Sequence, residues 1–306
     1  MPKKSKSSSR GRTVGLALLV VAFAVTAVAL LLHGNNVALL NSKGMIAHEQ
    51  RNLMYLVVGI MLIIAIPAVF LFFHTAWKYR ESNTKAKHDP ESRHNRFLVL
   101  YIWLVPTTFA VVLSVIMWSA THRLAPQKSI EVVGAKPLTI QVVGMRWKWL
   151  FIYPEQHVAT VNFVQIPVDT PVTFELTADE APMSSFWIPN LGGQLYAMTG
   201  MVNRLNLMAT TVGDYTGSSA EINGAGFADM KFTTRVSPKG AFDFWLQSLA
   251  QDSPHVLNAA EYAQLLKPSE DNKTTLYSSV DTGLYDTVLM KYMGPMGSME
   301  HGAIHE

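Results

Sequence analysis

Lys136-Pro-Leu-Thr-Ile-Gln-Val-Val143 alternates polar and apolar side chains, and Pro171-Val-Thr-Phe-Glu-Leu-Thr177 repeats the pattern. Residues two apart on a strand share a face, so both stretches predict strands with one face turned to a core. Gly192-Gly193, Val212-Gly-Asp214 and Asn223-Gly224 punctuate further short segments of the same kind. Such spacing predicts an all-β sandwich or barrel over residues 126–236. A stretch of that length can enclose one independent core.

Upstream the pattern is different. Val14 to Leu32, Leu53 to Phe73 and Phe97 to Ala120 carry no charged residue, and each is near the roughly 20 residues a helix needs to cross a bilayer. Residues 1–32 therefore read as a basic N-terminus with a first apolar span. Residues 33–125 read as a transmembrane helical hairpin, with helices over about 53–75 and 97–120. Lys3, Lys4, Lys6, Arg10 and Arg12 precede the first span, and Lys78, Arg80, Lys85, Lys87, Arg93 and Arg96 lie between the second and third. The positive-inside rule puts both basic segments in the cytoplasm and everything after Thr121 outside. A basic start followed by an apolar run is also a secretory pattern. A retained first helix is expected, with cleavage as the alternative.

After Pro238 the period changes again. Phe242, Trp245, Leu246 and Leu249 share one face of a short helix, and Asn258-Ala-Ala-Glu-Tyr-Ala-Gln-Leu-Leu266 reads as another, closed by Pro268. Residues 237–289 are thus expected to be a C-terminal helical region, packed on the sandwich or on a partner. Residues 290–306 form a Met/His-rich tail, Met290-Lys-Tyr-Met-Gly-Pro-Met-Gly-Ser-Met299 followed by His301 and His305. Thioether and imidazole suit Cu(I), whereas Gly294, Pro295 and Gly297 favour a flexible end. Asn272-Lys-Thr274 is formally a glycosylation sequon.

Composition removes several classes of function. There is no cysteine among 306 residues, so thiolate-bridged copper, thiolate-ligated iron–sulfur clusters and disulfides are all excluded. A net charge of +3, with the basic residues gathered at the N-terminus and in one loop, is not the basic face of a nucleic-acid binder. Serine–histidine–aspartate arrangements, phosphate-cradling glycine loops and HExxH are absent as well.

The stretch Gly217 to Met230 contains the frame Ser219-x3-Asn223-x3-Phe227-x2-Met230, with Glu221 between the first two positions. Around it, in order along the chain, stand Ala38-Leu-Leu-Asn-Ser-Lys-Gly, His48-Glu-Gln-Arg51, Ala76-Trp-Lys-Tyr-Arg80, Trp103-Leu-Val-Pro106, Trp147-Lys-Trp-Leu-Phe-Ile-Tyr-Pro-Glu155, Ser185-Phe-Trp-Ile-Pro189, Tyr196-Ala-Met-Thr-Gly-Met201 and Gly224-Ala-Gly-Phe227. From about Asn36 to Met290 the chain resembles subunit II of the haem–copper respiratory oxidases, in the ubiquinol-oxidase (cytochrome bo type) branch. The cytochrome c oxidase branch reads Cys-x3-Cys-x3-His-x2-Met in this frame, with a further histidine just before the Ser-Phe-Trp run.

The resemblance implies a membrane-anchored protein whose outer domain is a cupredoxin-like Greek-key β-sandwich with short C-terminal helices. It implies that the copper-ligand positions are substituted at Ser184, Ser219, Asn223 and Phe227, while Glu221 and Met230 are retained. No metal, cofactor-binding or catalytic residue is then expected in this chain. Phe227, Ile222 and Met230 are expected to fill the former site, with Ser219 and Asn223 making local hydrogen bonds. The aromatic run Trp147, Trp149, Phe151 and Tyr153 shares one strand face, and is read as core or as contact with the main subunit.

The expected function is a non-redox subunit of a proton-pumping ubiquinol oxidase. Haems and copper would reside in subunit I, with ubiquinol as substrate of the complex. The expected partners are subunit I, the other oxidase subunits and the lipid bilayer, with no cytochrome c and no nucleic acid. The near balance of charged residues over the sandwich agrees with the absence of a basic cytochrome c donor. The location is the bacterial inner membrane, with the C-terminal domain periplasmic and the N-terminus cytoplasmic if the first span is retained. Two departures from the family stand out. The lipidated cysteine is replaced by Asn35, and the glutamate at the mouth of a proton channel by Val99, with Asp89 or Glu91 as alternatives for proton entry. A different class of reading is a membrane-tethered copper-binding or copper-delivery protein that uses the Met/His tail.

Overall fold

The computed structural model describes residue 26 and residues 37–293, apart from 82, 85–95, 133, 135 and 182. Two long helices come first, α1 (Met45–Lys78) and α2 (Arg96–Arg123). Each contains its uncharged run and extends past it into polar residues, beyond the expected 53–75 and 97–120. Pro67 and Pro106 lie inside them, as membrane helices tolerate. Both are long and apolar enough to span a bilayer, and their apolar side chains are turned outward. The basic flank after α1 falls largely on residues outside the description, as does the first apolar run.

The start of α1 is built into the sandwich. The first N–H groups of a helix have no partner within it, and here Met45 N–H donates to Met208 O (3.0 Å) and Ala47 N–H to Leu191 O (3.1 Å). Gly44 forms an isolated antiparallel bridge with Ala209. A Cβ at Gly44 would lie 2.6 Å from Leu191 O, and one at Gly192 would lie 2.7 Å from Ala47 N. Glycine on both sides permits this backbone-to-backbone approach. Ser42 Oγ and His48 Nδ1, 2.7 Å apart, tie the same corner.

The strands are β1 (Leu138–Met145), β2 (Lys148–Tyr153), β3 (Val158–Val161), β4 (Phe163–Pro167), β5 (Val172–Ala178), β6 (Ser184–Trp187), β7 (Gln194–Ala197), β8 (Asn203–Leu207), β9 (Gly213–Ser219) and β10 (Lys231–Ser237). Both alternating stretches quoted at the outset are strands. They pair in parallel from Leu138↔Val172 to Gly144↔Ala178. With two later strands, β11 (His255–Leu257) and β12 (Thr275–Val280), one sheet has the order β11-β12-β3-β2-β1-β5-β8, and the other has the order β4-β10-β9-β6-β7. Between them Ile140, Val142, Trp149, Phe151, Phe174, Phe186 and Phe232 form the main core.

The C-terminal region departs from the sequence reading. It does carry helices, α3 (Lys239–Asp252), α4 (Ala259–Leu265) and α5 (Leu284–Met290), but it also returns two strands to the larger sheet, β11 (His255–Leu257) and β12 (Thr275–Val280). β12 pairs antiparallel with β3. Phe242, Leu246 and Leu249 of α3 enter the main core as the 3.6-residue period predicts. Asn258 caps α4 by accepting from Glu261 N–H at 2.9 Å. The rest covers the outer face of the larger sheet, where Val143, Met145, Leu150 and Ile152 meet Tyr262, Tyr277, Leu284, Tyr285, Val288 and Leu289 in a second core. The region therefore packs on the sandwich. Its third layer explains why β2 is buried along its whole length.

Candidate functional site

The frame residues fall where β9 leaves the smaller sheet. Ser219 ends β9, a 3-10 turn spans Ala225–Asp229, and Met230 leads into β10. β6 lies beside β9, with Phe186 opposite Ser219, and this brings Ser184 to the loop. Asn223 Nδ2 donates to Ser184 Oγ at 2.8 Å and lies 3.1 Å from Met230 Sδ. Ser184, Asn223 and Met230 are thus one contact cluster, and Ser184 and Met230 are fully buried. Ser219 Oγ donates locally to Glu221 O at 3.1 Å.

Two expectations about this loop need correction. Ile222 does not fill the pocket: it is 82% exposed, pointing out of the loop rather than into it. Asn223 is more than a local loop residue, because its amide crosses to a strand 39 positions earlier. Phe227 is half-buried on the 3-10 turn. The Glu221 carboxylate accepts from Tyr196 and holds that phenol above its ordinary value.

The donor set decides what the cluster can bind. A hydroxyl, an amide and one thioether offer neither the thiolates nor the imidazoles that bridging copper requires. The copper centre of the cytochrome c oxidase branch does not fit these residues. Among the described residues no group of three metal-ligating side chains is present. The sandwich's histidine, His157, lies in the turn between β2 and β3 with φ 56°.

Trp147 closes the site from the other sheet. It occupies the two-residue turn between β1 and β2 with φ 63°, a left-handed conformation costing a non-glycine residue about 1–2 kcal/mol. Its ring lies against the loop, where a Cβ at Gly226 would come within 2.6 Å of it. Next to it opens a cleft of about 770 Å³, with Arg146, Glu180, Asn223 and Tyr292 on its walls. Beyond the turn, Trp149, Phe151 and Tyr153 point into the main core as expected. Phe186 touches Trp149, Phe151, Phe174 and Phe232, with centroids 5.0–6.2 Å apart. Tyr153 O–H donates to Gln165 O at 2.9 Å, and its burial raises the phenol far above its ordinary value.

Two buried polar centres were missed in the sequence. Lys148 is only 2% exposed, and its ammonium donates to Leu265 O (2.8 Å), Lys267 O (2.9 Å) and Ser269 Oγ (2.5 Å). It caps the end of α4, and burial pulls its pKa below the ordinary lysine value. Asp179 is 1% exposed and accepts from Tyr262 O–H, Lys291 Nζ and Tyr292 O–H at 2.6–2.9 Å. Burial opposes the Lys291 charge, but hydrogen bonds to Glu180 and Asp179 outweigh it and raise the pKa. Asp179 and Lys148 therefore do not belong to the surface charge of the sandwich, and removing one of each sign leaves its balance unchanged. A signal for Lys148 existed. Leu150 and Ile152 share its strand face, and apolar residues on both faces mark a doubly covered strand.

Asn272 uses its side chain on Ser269 and its carbonyl on Asn162, so the sequon asparagine is built into the fold. Val99 lies on α2 and is exposed. Asn35, Asp89, Glu91 and the tail beyond Met293 lie outside the described residues. Met290 ends α5, and the next two residues, Lys291 and Tyr292, are held at Asp179.

Two family models match the chain: the periplasmic domain of cytochrome c oxidase subunit II over residues 155–236, and the COX aromatic-rich motif over residues 251–296. The chain is 42% identical to cytochrome bo(3) ubiquinol oxidase subunit 2 of Pseudomonas putida, over 87% of this chain and 83% of that protein. It is 40% identical to ubiquinol oxidase subunit 2 of Acetobacter aceti, over 88% and 87% respectively. Among solved structures, the periplasmic domain of cytochrome oxidase subunit II of Bradyrhizobium japonicum is 23% identical with a TM-score of 0.36, covering 39% of this chain and 96% of that one. That distance adds nothing to what the relatives show.

Proposed function

The chain belongs to the ubiquinol oxidase subunit 2 family, and we propose that it serves its complex as a scaffold without a redox centre of its own. In this reading electrons pass from ubiquinol directly to haem in subunit I, where oxygen is reduced. This chain anchors beside subunit I through α1 and α2. Its sandwich caps the periplasmic face of that subunit at the bacterial inner membrane, and no cytochrome c docks on it.

The observation that carries this reading is the Ser184–Asn223–Met230 cluster. The positions matching copper ligands at Ser184, Ser219, Asn223 and Phe227 carry no thiolate or imidazole, and Asn223 spans the gap by contacting Ser184 and Met230. A buried polar donor needs a partner, and the Asn223 Nδ2 group meets Ser184 Oγ and Met230 Sδ, while its carbonyl oxygen has no hydrogen-bond partner among the described residues. The loop keeps its shape from those contacts and from Trp147 packed on Gly226, so it needs no metal to hold it. The role left to the domain is mechanical. α1 grows out of the sandwich through Gly44, and Lys148 and Asp179 bolt the C-terminal layer to it. The domain and its anchor therefore present one continuous surface to a partner.

The test is purification through a tag on this chain in mild detergent, followed by haem and copper analysis and by oxidase assays. A haem-bearing partner, quinol oxidation without cytochrome c oxidation, and copper no higher than the partner's own site requires are expected. Copper in excess on this chain, or cytochrome c oxidation, would overturn the reading. Family membership stands with the oxidase and not with copper delivery by the tail.

A further inference from the structure

We propose that the outer end of the α1–α2 pair holds the head group of one phospholipid bearing a primary ammonium, a phosphatidylethanolamine. The proposal rests on the membrane-anchored oxidase reading. Between the two helices lies a groove of about 630 Å³, whose polar end carries Glu49, Asn52, Ser119 and Arg123 and whose lower walls include Leu56 and Ile116. Arg123 Nε lies 3.0 Å from Glu49 Oε2, with the two side chains 61% and 37% exposed. Both side chains are thus partly exposed, although Glu49 Oε2 itself is buried against Arg123. A guanidinium has five N–H donors, and the ion pair runs through Nε, so an anion can share Arg123 from its other edge.

The depth fits a head group. The uncharged run of α1 begins at Leu53, and Glu49 stands one turn before it, about 6 Å outside the hydrocarbon. Arg123 follows the uncharged run of α2, which ends at Ala120. Tyr55 and Trp118, both exposed, lie near this end, and Trp77, Tyr79, Tyr101 and Trp103 near the other. Such aromatic belts mark the two interfaces of a bilayer.

The chemistry selects the lipid. A phosphate would meet Arg123, with Asn52 and Ser119 as further donors, while an ammonium would meet the Glu49 carboxylate. The acyl chains would run down the apolar walls. A head group with phosphate alone would satisfy Arg123 and be repelled by Glu49.

The experiment uses the intact complex, delipidated in detergent and checked for haem content and quinol oxidation. A chain that purifies without its haem-bearing partner would fail at that check, before any lipid is added, so failure of the oxidase reading is seen separately. Native mass spectrometry then follows titration with phosphatidylethanolamine and with phosphatidylglycerol of the same acyl chains. One saturable phosphatidylethanolamine adduct is expected, with phosphatidylglycerol weaker by about tenfold, the scale of one charge-assisted hydrogen bond. Arg123→Gln should weaken both lipids, and Glu49→Gln should abolish the preference between them. Equal binding to wild type and both variants would overturn the proposal. So would a photo-crosslinker placed at Leu56 that captures a polypeptide in place of lipid.

Discussion

Replacing Lys148 with methionine keeps the apolar stem in the second core and removes only the ammonium. Three acceptors then lose their donor: Leu265 O, Lys267 O and Ser269 Oγ. At about 1 kcal/mol for each hydrogen bond lost, the end of α4 is destabilised by about 3 kcal/mol. This is a local loss, because α3 and the main core do not depend on it. Native-state hydrogen exchange reads such a local opening directly. In the intact complex, peptides covering residues 259–267 should exchange on the order of 150-fold faster in Lys148→Met, since each 1.4 kcal/mol is a factor of ten. Peptides from β5 and β10 should be unchanged. Exchange over 259–267 within threefold of wild type would refute the claim that this ammonium holds the C-terminal layer in place.

Further outcomes are expected elsewhere. Gly226→Ala puts a methyl 2.6 Å from the Trp147 ring and should cost about 1–3 kcal/mol of stability; Trp147→Leu in the same chain should recover part of it, read as a non-additive double-variant cycle in thermal melts. Phe186→Ala removes a ring touching four others and should cost about 3–5 kcal/mol, seen as loss of the subunit from the purified complex. Lys291→Met should lower stability by about 1 kcal/mol, a figure discounted because the side chain is 41% exposed. The pKa of Lys291 is raised in the folded state, so its contribution is fully present below the unfolded lysine value of about 10.4 and is lost as pH rises through the folded value. The difference in melting temperature between wild type and Lys291→Met should therefore be flat from about pH 6 to 9 and shrink only in strong alkali.

Much of the site was legible before the fold. The spacing of Ser219, Asn223, Phe227 and Met230 marked the loop, and the three-dimensional structure gathers Ser184, Asn223 and Met230 there. The side chains of that loop were harder. The apolar character of Ile222 argues for an inward side chain, yet a loop has no fixed period to say which way a residue points. For Asn223 the sequence suggests only local bonds, because it displays neighbours and Ser184 is not one.

What the sequence determined by itself follows from composition and local period. Without cysteine no thiolate can bridge copper, whatever the fold. Uncharged runs of membrane length and strands of period two announce themselves within a few residues, because backbone geometry repeats at short range. The tertiary structure alone decided that β12 joins β3, that residues 255–289 add a layer with a second core, and that Lys148 and Asp179 lie inside it. Their partners stand 83–121 positions away. Burial of a charge depends on the surface that comes to cover it, and that surface is assembled only when the chain has folded.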